Sequence, residues 1–173
     1  MSVFNTISLV GMPGAGKSSV GVLLAKLTGL RFIDTDLDIQ VREEATLQEI
    51  VDSKGHHYLR QVEEAVLLDI ALDHALVSTG GSVVYSPAIM RRLKSLGPVV
   101  YLEADLATLE ARVAAAPPRG IASAANHSFA QVYAERTPLY EKYADYTVDA
   151  GAGPPEQVAL DIVARLTPRE VRP

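Results

Sequence analysis

The chain has 173 residues, of which 48% are hydrophobic and 21% charged, and its formal net charge is −5. This composition predicts one globular domain spanning 1–173, and the negative charge argues against a nucleic-acid-binding surface. With no cysteine, disulfides and thiolate metal sites are excluded. We see neither a leader peptide nor an apolar run long enough to span a membrane, so we expect a cytoplasmic protein without a membrane partner.

The first predicted elements are a strand at 6–10, a glycine-rich segment at 11–18 and a helix that follows it. The segment reads GMPGAGKS and matches the phosphate-binding pattern G-x-x-x-x-G-K-[ST]. Its glycines let backbone N–H groups curl around a polyphosphate, because a Cβ would block the approach. In this motif Lys17 reaches the β- and γ-phosphates, and Ser18 offers its hydroxyl to Mg²⁺. We therefore predict that ATP and Mg²⁺ bind here.

Strand-like and helical segments alternate along the rest of the chain. Helix boundaries are marked by Gly29, by capping boxes opening at Thr46 and Ser128, and by a cap at Asp105. The predicted strands are 31–34, 75–78, 99–102 and 146–149, and the predicted helices include 47 to about 55, 58–73 and 155–166. This alternation predicts an α/β fold of three layers around a central five-stranded parallel sheet, of the phosphate-loop kinase type. Ligands are then expected at the carboxyl ends of the strands.

Two carboxylates follow the second predicted strand, in the sequence Asp34-Thr35-Asp36. One can hold Mg²⁺, and the other can accept the proton of an attacking hydroxyl. The structural alternative is that aspartate caps a helix. The phosphate motif one βα unit upstream favours the functional interpretation.

Arg60 and Glu63 lie three residues apart on one face of a predicted helix. The pair is either a surface ion pair of little energetic value or an arginine oriented by glutamate to bind a carboxylate. The spacing does not decide between these. His56 and His57 are adjacent and point to different sides of a regular element, so we interpret them as surface residues.

Two segments near strands or helix ends admit both structural and functional interpretations. The strand at 75–78 runs into Gly80-Gly81, which is either a tight turn or a backbone N–H offered to a substrate. Arg136 lies in a predicted helix that Pro138 is expected to kink or break. Such a kink can aim the arginine inward, although a surface position is the ordinary expectation.

The segment 117–127 has short side chains, begins with two prolines and resists assignment. It is either a surface connection or a lid that closes over ATP, since a kinase must exclude water from the γ-phosphate. We predict a lid at about 113–127 and a substrate-binding helical insertion at about 35–62.

Taken together, these residues resemble the shikimate kinase family across nearly the whole chain. The resemblance is carried by the phosphate motif, the Asp-x-Asp after the second strand, Arg60-x-x-Glu63 with the helix and strand leading to Gly80-Gly81-Ser82, and Arg136-x-Pro-Leu-Tyr. A phosphate motif alone is shared by many kinases, whereas this set in this order is far more specific. It implies transfer of the γ-phosphoryl group of ATP to the 3-hydroxyl of shikimate. Separately from this resemblance, we expect the protein to be a monomer.

The resemblance also implies roles for individual residues. The implied catalytic residues are Lys17, Asp36 and Arg119, with Arg119 as the lid arginine. The implied nucleotide-binding residues are Gly14, Ala15, Gly16, Lys17, Ser18, Ser19 and Arg112, with Arg112 stacking on adenine. The implied metal-binding residues are Ser18 and Asp34. The implied substrate-binding residues are Asp36, Arg60, Gly81 and Arg136, with Glu63 supporting Arg60.

Three departures from the family pattern bear on this interpretation. Ser82 replaces the third glycine, the lid reads Arg119-Gly120-Ile121-Ala122 in place of arginine-proline-leucine-leucine, and the loop after the last strand has no polar or basic residue. One alternative is therefore a kinase of a different carboxylated cyclitol or hydroxy acid. A second alternative is a nucleotide-binding module without turnover, against which the complete Lys17, Ser18, Asp34 and Asp36 set argues.

Overall fold

In the computed structural model, residues 4–117, 120, 121 and 126–167 are described. The strands are β1 (Thr6–Val10), β2 (Arg31–Asp34), β3 (Ala75–Ser78), β4 (Val99–Glu103) and β5 (Tyr146–Asp149). The helices are α1 (Lys17–Thr28), α2 (Thr35–Glu43), α3 (Leu47–Lys54), α4 (His56–Asp69), α5 (Pro87–Leu96), α6 (Leu106–Ala115), α7 (Phe129–Tyr143) and α8 (Pro155–Leu166), and a 3₁₀ turn spans Val83–Tyr85.

The five strands form one parallel sheet in the order β2-β3-β1-β4-β5. β1 lies in the middle, where Leu9 is paired with Ser78 of β3 on one side and with Val100 of β4 on the other. Every residue of β1 and β3 is buried, because helices cover both faces of a parallel sheet. The predicted α/β fold with a central five-stranded parallel sheet is confirmed, and it brings the carboxyl ends of β1, β2 and β3 to one edge.

A second, smaller apolar cluster holds together the three helices between β2 and β3. Its buried members are Ile39, Ile50, Leu59, Val62 and Val66. They come from α2, α3 and α4, so these three helices pack on one another. This cluster fixes the position of α4, which carries Arg60 and Glu63.

The largest differences from the predicted elements lie between β2 and β3. Helix α2 lies within the helical insertion predicted at about 35–62, although no separate bounds were predicted for it. Helix α4 begins at His56 and ends at Asp69, whereas we predicted 58–73. Gly55, at φ 82°, lets the chain turn directly from α3 into α4. At the end of α4, the Arg92 guanidinium donates to the carbonyls of Leu67 and Ile70, which a helix end leaves without intrahelical partners.

The expected break at Pro138 does not occur, since α7 is continuous over its 15 residues. Val132, Arg136 and Tyr140 are buried along one face of this helix. The packing of that face outweighs the single hydrogen bond that proline removes. In the part of the chain described, no helix has the length and apolar character needed to cross a membrane.

Candidate active site

The loop between β1 and α1 has the backbone shape that the phosphate motif requires. Gly14 and Gly16 have φ values of 86° and 91°, in the left-handed region that favours glycine. Gly16 precedes the first residue of α1, and among the described residues no side chain caps this helix end. The first N–H groups of α1 are thus left uncapped by side chains, and the helix dipole favours negative charge at this position.

Lys17 is buried beneath this loop. Its Nζ donates to the carbonyl oxygens of Gly11 at 2.7 Å and Met12 at 3.0 Å. These bonds hold the entrance of the loop and keep the ammonium group at the cavity, which Lys17 lines.

Ser18 and Asp34, the predicted metal-binding pair, are in direct contact. The Ser18 hydroxyl donates to Asp34 Oδ2 at 2.6 Å, and Asp34 Oδ1 accepts from the Asp36 backbone N–H at 3.1 Å. Asp34 is therefore both the cap of α2 and a carboxylate facing the phosphate loop. The structural interpretation of the Asp-x-Asp pattern, a helix cap, therefore holds for Asp34, and its role at a metal stays a prediction.

One hydroxyl and one carboxylate fit Mg²⁺ in a kinase, because Mg²⁺ binds through one or two protein oxygens together with substrate phosphates and water. Within the described ranges, no group of three or more histidine, cysteine, aspartate or glutamate side chains could hold a metal by itself. The residues present therefore fit a metal that arrives with a nucleotide.

A cavity of about 220 Å³ opens next to the phosphate loop. Ten of the predicted site residues line it: Gly14, Gly16, Lys17, Ser18, Ser19, Asp36, Glu63, Gly81, Arg112 and Arg136. Ala15, Asp34 and Arg60 are not among the lining residues. The other lining residues are mostly apolar or small: Pro13, Leu47, Leu59, Thr79, Gly80, Ser82, Val113, Ala116, Gly120 and Ile121.

Asp36 and Glu63 meet at Gly80, where the chain leaves β3. A Cβ on Gly80 would lie 3.1 Å from Asp36 Oδ1 and would overlap Glu63 Oε2. Only glycine leaves room for both carboxylates at this point of the cavity wall. The site thus holds two acidic groups near each other, beside the phosphate loop.

Glu63 is 4% exposed, and Ser82 Oγ donates to its Oε1 at 2.6 Å. Burial raises the pKa of Glu63 to about 7, against the lowering effect of the Ser82 hydrogen bond. The nearby Asp36 carboxylate also raises this pKa, while the charges of Arg136 and Arg60 lower it. The hydroxyl of Ser82, which replaces a family glycine, therefore bonds to Glu63.

Arg136 and Arg60 come together on one aromatic ring. The guanidinium carbon of Arg60 lies 4.0 Å from the centroid of the Tyr85 ring, and that of Arg136 lies 5.3 Å from it. Arg136 is 1% exposed, so it is the buried member of the pair and not the surface residue of the ordinary expectation. The structure brings together two residues that are 76 positions apart in sequence.

Tyr140 connects α7 to the glycine turn. Its hydroxyl donates to the carbonyl of Gly81 at 2.5 Å, and a Cβ on Gly81 would lie 2.8 Å from Arg136 Nη1. The arginine and the turn are therefore packed closely. Sequence reasoning included Tyr140 in a motif without a role and missed Tyr85, for which no local pattern gives a signal.

Arg112 bridges the phosphate loop and the loop after β5. Its Nη1 donates to the Gly14 carbonyl at 3.3 Å, and its Nη2 donates to the Ala150 carbonyl at 2.9 Å. The guanidinium plane is thus fixed beside the cavity. Arg119, the predicted lid arginine, lies outside the described residues, whereas the neighbouring Gly120 and Ile121 line the cavity.

The model of the shikimate kinase family matches residues 13–167. The chain belongs to the shikimate kinase family. The shikimate kinase of Pseudomonas entomophila is 37% identical over 161 residues, covering 91% of this chain and 94% of that protein. The shikimate kinase of Vibrio parahaemolyticus is 37% identical over 172 residues, covering 98% and 100%.

A solved structure agrees with the sequence relatives. The shikimate kinase of Acinetobacter baumannii in complex with shikimate superposes with a TM-score of 0.85 at 27% identity, covering 99% of this chain and 97% of that one. The predicted membership of the family and the predicted ATP-dependent kinase class are thereby confirmed. The predicted shikimate kinase function is confirmed at the level of the family.

Proposed function

We propose that this protein transfers the γ-phosphoryl group of ATP to the 3-hydroxyl of shikimate, in the cytoplasm and as a monomer. One observation carries the proposal: a single cavity is lined at one end by the phosphate loop and at the other by Asp36, Glu63 and Arg136. A phosphate-binding loop and a buried arginine beside two carboxylates match a nucleotide and a small hydroxy acid, respectively. The same proposal includes one domain over 1–173, with a substrate-binding helical insertion at about 35–62 and a lid at about 113–127.

The nucleotide is bound mainly by backbone groups. The N–H groups of the loop and of the first turn of α1 surround the phosphates, and Lys17 neutralises the charge of the β- and γ-phosphates. Arg112 places its guanidinium beside the adenine. Its hydrogen bonds to Gly14 and Ala150 fix the plane against which an aromatic base stacks.

Ser18 and Asp34 would hold Mg²⁺ together with phosphate oxygens and water. When bound, this ion supplies positive charge that neutralises the phosphates as the terminal group is transferred. Asp34 also caps α2, so the position of the metal site is coupled to the position of Asp36.

The acceptor is held through its carboxylate and its ring hydroxyls. The planar guanidinium of Arg136, with Arg60 beside it, can bind a carboxylate through two parallel hydrogen bonds. Glu63 supplies the opposite charge near both arginines, and Gly81 offers its N–H to a ring hydroxyl. This arrangement directs another hydroxyl of the acceptor toward Asp36 and the phosphate loop.

In the transfer, the 3-hydroxyl oxygen forms a bond to the γ-phosphorus while the bond from that phosphorus to the bridging oxygen breaks and ADP leaves. The hydroxyl proton passes to Asp36. Most of the rate acceleration comes from positioning and from neutralising charge. The predicted lid, with Arg119 near the transferred group, excludes water from this step.

The test is an assay coupled to ADP release with shikimate, quinate and gluconate as acceptors, each at saturating MgATP. We expect turnover with shikimate to exceed turnover with the other two acids by at least about a hundredfold in kcat/KM. Preference for another acid favours the alternative of a different acceptor, for which Ser82 is the specific observation. ATP binding without turnover on any acid favours the non-catalytic module.

The carboxylate clamp is tested by Arg136→Lys, which keeps the charge and removes the planar fork. We expect the KM for shikimate to rise roughly tenfold and the KM for ATP to change far less. Equal changes in both constants contradict the proposed role of Arg136.

A further inference from the structure

Tyr85 occupies a central position behind the acceptor end of the cavity. It is the last residue of the 3₁₀ turn that follows the glycines after β3. This turn packs against α4, which carries Arg60, and against α7, which carries Arg136. The side chain of Tyr85 is half-buried between these two helices.

Both guanidinium groups lie over the face of the Tyr85 ring, at 4.0 Å for Arg60 and 5.3 Å for Arg136. Arg136 also donates from Nε to the Tyr85 hydroxyl at 3.4 Å. Since a cation within about 6 Å of the ring centroid is attracted by the negative face of the ring, Tyr85 interacts favourably with both arginines.

This contact offsets an electrostatic cost. Two guanidinium groups near each other repel, and the repulsion is strongest where burial lowers the effective dielectric constant. Glu63 provides one compensating charge, as its pKa depends on both arginines. The ring provides a second attraction without adding negative charge. The net positive charge of the two arginines therefore remains available to an acceptor carboxylate.

We propose that Tyr85 is a positioning residue that holds Arg60 and Arg136 in the arrangement that receives the acceptor carboxylate. The inference rests on the proposed function, in which these arginines bind that carboxylate. Arg136 lines the cavity, whereas Arg60 is not among the lining residues. Both contact the Tyr85 ring, and this shared ring fixes one arginine relative to the other. A clamp held in this way loses less side-chain freedom when the carboxylate binds.

A graded change in the electron density of the ring at position 85, with only a small change in ring size, tests the inference. Phenylalanine and its mono-, tri- and pentafluorinated forms are introduced at position 85, and shikimate affinity is measured by calorimetry. Because fluorine withdraws electron density from the ring face, we expect the Kd to increase at each step. The expected total is about tenfold, the worth of a partly desolvated cation–π contact. An unchanged Kd across the series overturns the inference, since a ring that only fills space is insensitive to fluorination.

A double-mutant cycle tests whether Tyr85 acts through the arginines. Tyr85→Leu alone should raise the KM for shikimate about tenfold, with kcat and the KM for ATP within about twofold of the parent values. In an Arg60→Met background, Tyr85→Leu should raise the KM for shikimate clearly less than it does in the parent protein, because Tyr85 and Arg60 share one contact. Full additivity overturns the inference.

Tyr143→Leu is the matched control. Lys142 lies over the Tyr143 ring at 5.3 Å, on the same helix as Arg136, and Tyr143 is not among the cavity-lining residues. Its KM for shikimate should remain within about twofold of the parent value, and an increase equal to that of Tyr85→Leu overturns the inference. If Arg136→Lys leaves shikimate binding unchanged, the proposed clamp itself fails. If Arg136→Lys weakens binding while the fluorine series is flat, only the role of Tyr85 fails.

Discussion

The two ends of the cavity are built in different ways. The end that we assign to the nucleotide comes mostly from one continuous segment, residues 11–18, in which glycines with positive φ set the backbone shape. The acceptor end takes Asp36 from α2, Glu63 from α4, Gly81 from the turn after β3 and Arg136 from α7. The first is a local backbone structure, whereas the second depends on side chains brought together by tertiary packing.

This difference has an energetic consequence. Backbone N–H groups need little compensation when the loop is empty, because water reaches them. The acceptor end buries Glu63 and Arg136, and buried charges are costly unless they are paired and hydrogen-bonded. The bonds from Ser82 and the stacking on Tyr85 provide that compensation. We therefore expect substitutions at the acceptor end to affect stability and pH dependence as well as affinity.

Lys17→Met should have the largest effect and should act on the nucleotide end alone. It removes the charge aimed at the transferred phosphate and the bonds to Gly11 and Met12. We expect kcat/KM for ATP to fall roughly a thousandfold, the upper range for losing one charge-stabilising donor. Shikimate affinity without nucleotide, measured by calorimetry, should stay the same. A parallel loss of shikimate affinity means that the two ends are not independent.

Asp36 lies at the junction of the two ends, and the variant Asp36→Asn tests its role. We expect kcat to fall roughly a hundredfold, the usual worth of a general base, with ATP affinity nearly intact. Rapid-quench measurement of a single turnover separates the chemical step from product release. An unchanged chemical rate removes Asp36 from the mechanism.

The sequence predicted the nucleotide end well because a motif of contiguous residues encodes a backbone shape. Gly14, Gly16 and Lys17 required no knowledge of the tertiary fold. The alternation of strands and helices likewise placed β1 to β5 within one residue of their observed ends, since periodicity and capping are local signals.

The acceptor end could not be derived in the same way. The spacing of Arg60 and Glu63 did not distinguish a surface pair from a buried site, because burial depends on α2, α3 and α7. Resemblance to a family supplied the correct grouping of Arg136 with this region. Tyr85 lies in a turn whose sequence has no pattern that predicts two arginines over its ring, so only the structure identified it.

Glu63→Gln tests the cost of burying a carboxylate at the acceptor end. Burial raises the pKa of Glu63 to about 7 from 4.5, so the folded protein retains a proton that the unfolded chain releases. This group's stabilisation is therefore fully present below pH 4.5 and is lost as the pH rises through about 7. Between pH 5 and pH 7, we expect this loss to lower the free energy of unfolding of the parent protein by on the order of 2 kcal/mol.

Urea unfolding of the parent protein and Glu63→Gln at several pH values provides the measurement. The variant should lack this decrease while keeping the shape of the side chain. The remaining pH dependence, from groups shared by both proteins, cancels in the comparison. Parallel stability curves would mean that Glu63 does not change its protonation in this range.

Ser82→Gly, which restores the glycine usual in the family, should have the smallest effect. Loss of the 2.6 Å hydrogen bond removes an influence that lowers the pKa of Glu63, so this pKa should rise. We expect the corresponding apparent pKa in the pH profile of kcat/KM for shikimate to move upward by about one pH unit.

The matched control is Ser86→Ala. It removes the hydrogen bond that Ser86 donates to Glu64, the residue after Glu63 on α4. Because Glu64 does not line the cavity, the control profile should coincide with that of the parent. If the two serine variants shift the profile equally, the effect belongs to helix packing, and the hydroxyl of Ser82 has no separate influence on the charge of Glu63.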